Sequence, residues 1–157
     1  DAEIEETGDT LEANAAIKAR TIFDATGEAC FADDSGLMVD FLNGQPGVKS
    51  ARYAGEPSDN MANMQLLLKN LGDTANRSAK FQTVICYKDA HQEHFFKGEV
   101  HGQITYEMSG SKGFGYDPIF IPNGYQLTFA EMLPEEKNKI SHRKNALAQM
   151  LDFLKTR

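Results

Sequence analysis

The residues with the most chemical promise are two adjacent carboxylates, Asp33 and Asp34. The small pair Ser35-Gly36 follows them, and the short apolar run Ala29-Cys30-Phe31-Ala32 precedes them. A buried strand that ends in paired acids sets hard oxygen donors at the strand's carboxyl end, where ligands bind in α/β sheets. Such oxygens suit Mg²⁺, which takes one or two carboxylates and leaves its other positions to water and phosphate. Successive strand side chains point to opposite faces, so one acid can serve a site while the other braces the turn. The plainer alternative is a solvated bend with an Asp as its turn residue. Asp34-Ser35-Gly36 also matches the tripeptide of aspartic proteases, whose chemistry needs a second carboxylate to share a proton. The sequence holds one such tripeptide within a helix-rich pattern, so that reading would require two copies to meet at this turn.

Three further constellations carry polar chemistry. Glu5-Glu6-Thr7-Gly8-Asp9-Thr10 leads into a helical pattern. Its acids either complement the helix dipole or, through Glu5 or Glu6, reach a metal. Lys18, farther along that helix, faces either solvent or a phosphate. Gly113-Phe114-Gly115-Tyr116-Asp117-Pro118 sets two aromatics between glycines and ends on an acid fixed by proline. It reads equally as a structural turn or as a base pocket, with an aromatic stacking on a nucleobase and Asp117 accepting from ring N–H groups. It is not a phosphate-cradling Walker loop, because Lys112 precedes Gly113. Ser141-His142-Arg143 opens the last helical pattern. Arg143 there opposes the helix dipole, which a bound anion or base carbonyl would offset, and Lys137 adds a cation upstream. His91, His94 and His101 share no ligand spacing.

The elements that must position these residues follow from periodicity. Thr10 to Ala25 predicts a helix capped by Thr10 and stopped at Gly27. A short strand at 29–32 ends at the acidic turn, and Leu37 to Phe41 resumes an apolar pattern. Ser58 to Leu71 predicts a second helix whose buried face is Met61, Met64, Leu67, Leu68 and Leu71. Ala79 to Lys88 and His94 to Tyr106 predict antiparallel strands joined through Asp89-Ala90-His91. Gly110 to Asn123 reads as loop and short strand. Ser141 to Lys155 closes as a helix, with Ala146, Leu147, Met150, Leu151 and Leu154 as its buried face. No repeat or linker divides the pattern, so residues 1–157 are expected to form one α/β domain.

Bulk properties narrow the function. The 157 residues are 41% hydrophobic and 25% charged, an ordinary balance for a soluble globular protein. A net charge of −7 argues against broad nucleic-acid binding, which needs a basic footprint, and leaves room for a small anionic substrate. No apolar run approaches the roughly 20 residues of a membrane helix. The acidic start, Asp1 to Glu6, lacks the apolar region of a leader. Cys30 and Cys86 sit in apolar runs without ligand spacing, which fits buried thiols in a reducing compartment and an expected cytoplasmic location.

In combination these segments resemble the inosine triphosphate pyrophosphatase family. The carrying residues are Glu6-Thr7-Gly8-x-Thr10 with Asn14-Ala15 and Lys18-Ala19, Ala32-Asp33-Asp34-Ser35-Gly36-Leu37, and Pro46-Gly47 with Ser50-Ala51-Arg52-Tyr53. Gly113 to Phe120, Glu136-Lys137 and Ile140-Ser141-His142-Arg143 complete the set, in family order. The resemblance implies an α/β fold with a mixed central sheet flanked by helices, two lobes around a substrate cleft, a homodimer and Mg²⁺. It implies hydrolysis of inosine, deoxyinosine and xanthosine triphosphates to monophosphate and pyrophosphate. By motif position, Asp34 is the general base and a metal ligand, and Glu6 the second metal ligand. Lys18 and Ser35 contact substrate or phosphate. Phe114, Gly115, Tyr116 and Asp117 form the base pocket, and Lys137, His142 and Arg143 read the base. The family's opening strand and Thr/Ser-x-Asn-x-x-Lys phosphate loop are not in this sequence. The chain is therefore expected to be incomplete at its amino end, with a non-catalytic nucleotide-binding or impaired fragment as the alternative reading. Ala13 also stands where the family often has Glu, with Glu12 beside it.

Overall fold

The computed structural model describes residues 8–111, 113 and 115–156. Thr10 is extended and its hydroxyl accepts the Ala13 N–H at 3.0 Å, which starts helix α1, Leu11–Thr26. Gly27, in the left-handed region at φ 70°, ends it as expected. The buried face of α1 is small-sided, with Leu11, Ala15, Ala16 and Ala19, so the helix seats close on the sheet against Val84 and Cys86.

Four strands follow in chain order and in spatial order, β1 Cys30–Val39, β2 Ser78–Lys88, β3 Glu93–Ile104 and β4 Phe120–Pro122. All three pairings are antiparallel. The expected hairpin of β2 and β3 is present, with Asp89 accepting the backbone N–H groups of His91 and Gln92 at the turn. Helices flank the sheet, which bears out the α/β expectation.

One local expectation is corrected. Asp33-Asp34-Ser35-Gly36 is not a turn closing a short strand but the middle of β1, paired with Ile85, Val84, Thr83 and Gln82. The ladder pairs the backbone groups that point toward β2, and β1 is an outer strand of the described sheet. Polar residues there keep access to solvent while their backbone is paired.

Alternation along the strands assigns the two faces. Val84 and Cys86 meet α1, whereas Ile85 and Phe96 meet Ala146 and Met150 of helix α4, His142–Lys155. Helix α4 approaches closest at Gly98, where any Cβ would overlap the His142 carbonyl and the Ala146 backbone. Ser141 caps α4 by accepting the Lys144 N–H at 3.1 Å. The largest apolar cluster joins Leu37 and Val39 of β1 to Met64, Leu67 and Leu71 of helix α2, Asn60–Leu71. Phe81, Phe120 and Phe129 fill its centre, with the Phe81 ring 4.6 Å from that of Phe120.

Two helical faces differ from the periodicity reading. Met61 is exposed on α2, and Leu147, Leu151 and Leu154 are exposed on α4. Each helix is tangent to its neighbours along a narrower line than its apolar stripe. Helix α3, Pro134–Ile140, has no buried residue among its seven and gives no apolar period to read.

Candidate active site

Strand alternation splits the chemistry of β1. Asp34 turns toward α1, where Asn14 Nδ2 donates to its Oδ2 at 3.3 Å and Lys18 Nζ lies 3.5 Å from its Oδ1. The Lys18 ammonium donates to the Asp33 carbonyl at 2.6 Å, so it rests on the strand backbone beside the carboxylate. Ser35 turns the other way, its hydroxyl 2.7 Å from that of Thr83. Asp33 is exposed. The two acids therefore do not act as a pair.

On the Ser35 face lies a cavity of about 260 Å³. Ser35, Gly36 and Leu37 of β1 and Phe81 of β2 form one wall. Ser50 and Ala51, in the 3-10 segment Gly47–Arg52, form another with Asn60. Gly115, Tyr116 and Asp117 line a third side, and Lys137, His142 and Arg143 the fourth. Ser50 is tied in place, accepting the Leu37 N–H at 2.9 Å and donating to the Gly47 carbonyl at 2.6 Å. The Tyr116 hydroxyl donates to the Ser50 carbonyl at 2.6 Å, and burial pushes its pKa up, so it stays protonated.

Asp117 is 3% exposed and accepts from Lys137 Nζ at 2.5 Å, a charge pair at the cavity edge. Gly113 adopts φ 77° beside it, and a Cβ there would overlap the Asp117 carboxylate. The glycine is thus required by backbone and space together. The His142 ring stacks on Phe81 at 5.0 Å. Burial first, and then the charges of Arg143 and Lys137, lower its pKa to about 3, so the imidazole is neutral near pH 7. Its buried Nδ1 has no hydrogen-bond partner among the described residues. The cavity accordingly offers an acid, two cations and a neutral ring nitrogen, a mixed donor and acceptor set suited to a heterocyclic base.

The Asp34 carboxylate is a hard-oxygen donor set that fits Mg²⁺. A carboxylate has about four lone-pair sites, so a bond from Asn14 does not by itself exclude a metal. Among the described residues no three His, Cys, Asp or Glu side chains cluster as a metal cage. Mg²⁺ bound through one or two carboxylates and phosphate does not need one. Glu6, the expected second ligand, lies outside the described residues, as does Phe114 of the expected base pocket.

The sequence matches the model of the Ham1 family over residues 1–153. The chain belongs to that family. A dITP/XTP pyrophosphatase of Porphyromonas gingivalis is 53% identical over 153 residues, covering 97% of this chain and 79% of that protein. One from Flavobacterium psychrophilum is 51% identical, covering 98% and 80%. The Staphylococcus aureus Ham1 protein superimposes with a TM-score of 0.96 at 44% identity, over 99% of this chain and 82% of that one. The resemblance read from the sequence is thereby borne out.

Placed on this Ham1 fold, the expected residues fall into two groups. Ser35, Gly115, Tyr116, Asp117, Lys137, His142 and Arg143 converge on the cavity, while Asp34 and Lys18 meet across β1, outside its lining. Sequence reasoning missed Thr83, Phe81 and Asn60. The first two sit in an alternating strand pattern with nothing to mark them, and Asn60 looks like any polar residue opening a helix. Among the described residues no helix is long and apolar enough to cross a membrane.

Proposed function

We propose that this chain hydrolyses non-standard purine nucleoside triphosphates, those of inosine, deoxyinosine and xanthosine, to the monophosphate and pyrophosphate. The observation that carries the reading is the Asp117–Lys137 pair beside neutral His142 and Arg143 in one cavity, one residue along β1 from the Asp34 carboxylate. A 6-oxo purine presents an acceptor where adenine presents an amino donor, and the cations Lys137 and Arg143 match only the acceptor. Asp117 accepts from a ring N–H, Ser35 donates toward the phosphates, and Gly115 and Tyr116 border the base.

Across β1, Asp34 orients a water toward the α-phosphorus and accepts its proton, while Lys18 adds positive charge near the phosphates. Mg²⁺ held by Asp34 and Glu6 would offset charge on the pyrophosphate leaving group. In this reading residues 1–157 act as one pyrophosphatase domain, in the cytoplasm and as a homodimer, without nucleic acid or membrane as a partner.

The test is pyrophosphate release from inosine, xanthosine and adenosine triphosphates with Mg²⁺. The expected result is a kcat/KM at least ~100-fold higher for the first two, within the reach of a site built around one polar contact. Equal turnover of adenosine triphosphate, or no pyrophosphate from any of the three, would sink the reading.

A further inference from the structure

Asn14 is a polar side chain only 1% exposed, on the face of α1 that looks at β1. Its Oδ1 lies 2.7 Å from the Gly8 backbone N–H, which can only donate. That contact fixes the amide orientation and leaves Nδ2 facing Asp34 Oδ2 at 3.3 Å. Lys18 is one helical turn on, on the same face, with its ammonium near Oδ1. The lysine does not fix the carboxylate by itself, because it sits closer to the Asp33 carbonyl, at 2.6 Å against 3.5 Å. The rigid, doubly engaged group is Asn14.

The local sequence is shaped to allow this. A Cβ on Gly8 would come 2.6 Å from Ala13 Cβ and 2.8 Å from Asn14 Oδ1, so only glycine brings its N–H onto the amide. One buried amide thus joins the segment before α1, where Glu6 stands two residues from Gly8, to the carboxylate in the middle of β1.

We propose that Asn14 is a positioning residue that holds Oδ2 of Asp34 and, with Lys18 beside Oδ1, fixes the orientation of the carboxylate toward the reacting water. This rests on the reading of Asp34 given above. Neutral Asn suits the task, because it donates to the carboxylate without adding a charge that would compete for the site.

The test compares Asn14→Leu and Asn14→Ala with the unaltered protein. Asn14→Leu keeps the volume and the neutral charge but loses the donor to Asp34. The expected result is a kcat for inosine triphosphate lowered ~10–100-fold in both variants, the range for partners that orient a metal-binding side chain, with KM within ~3-fold. A crystal structure of Asn14→Ala should show Asp34 in a turned or second rotamer. If Asn14 does not orient Asp34, Asn14→Leu will match the unaltered kcat, which overturns the proposal. An unchanged single Asp34 rotamer in Asn14→Ala overturns it equally. Absence of pyrophosphate release by the unaltered protein would instead count against the functional reading, and the crystal structure would still decide the role of Asn14.

Discussion

The two faces of β1 solve the problem of placing polar groups in opposite ways. On the Asp34 side, one helix supplies both neighbours, Asn14 and Lys18, from positions a single turn apart. On the Ser35 side, the cavity draws on remote segments that meet only when the chain is folded, from Ser50 through Tyr116 and Asp117 to Lys137 and His142. Local spacing builds the Asp34 side, and long-range packing builds the cavity side. Damage to the first should therefore appear in turnover with the fold intact, whereas damage to the second should appear in stability and selectivity together.

The sharpest way to break that contrast is Asp34→Asn. It keeps the shape but replaces one acceptor oxygen with an amide donor and removes the basic charge, so kcat is expected to fall on the order of 1,000-fold, within the span attributed to general acid–base groups. Pyrophosphate release would report this, and circular dichroism should show an unchanged fold. Lys137→Met comes next and should behave in the opposite manner. It removes the Lys137 ammonium from beside buried Asp117, which costs about 3 kcal/mol of stability, read from denaturant unfolding. Adding Asp117→Asn should recover part of that loss.

Gly113→Ala tests whether the loop beside Asp117 is held by backbone geometry. At φ 77° with the carboxylate in the way, the alanine should cost about 2 kcal/mol in the same unfolding measurement. The smallest effect expected is a pH dependence. His142 has a folded pKa of about 3 against an ordinary 6.5, so as pH falls below 6.5 the unfolded chain takes up a proton that the folded chain refuses. Stability should drop by about 1 kcal/mol between pH 7 and pH 5.5, and His142→Gln should remove that difference. A flat profile in the unaltered protein would show the ring to be solvated.

What could be read from the sequence follows the same division. The helices around α1, α2 and α4 and the β2–β3 hairpin were legible because caps, stops and alternation are local signals. Alternation separated Asp33 from Asp34 for the same reason, while the choice of Asp34 for the site came from the family resemblance. Strand β1 was not, because Asp33-Asp34-Ser35-Gly36 has turn chemistry and only pairing with Thr83 and Val84 makes it extended. Nor was the width of each buried face. Ala146 and Met150 touch the sheet while Leu147, Leu151 and Leu154 do not, and that depends on how α4 is tilted onto its neighbours. The base-side cavity was visible as a set of motifs, but Phe81, behind His142, became part of it only through packing.

Gly98 shows how far such packing reaches. It carries no functional group, lies outside the cavity lining and sits in an unremarkable strand, yet it sets the clearance between β3 and the start of α4. Any larger residue would lift the helix end that carries His142 and Arg143, and would shift both away from Asp117 by one rigid movement. In the proposed reading, a substitution at position 98 would alter base selectivity by displacing cavity residues without replacing any of them.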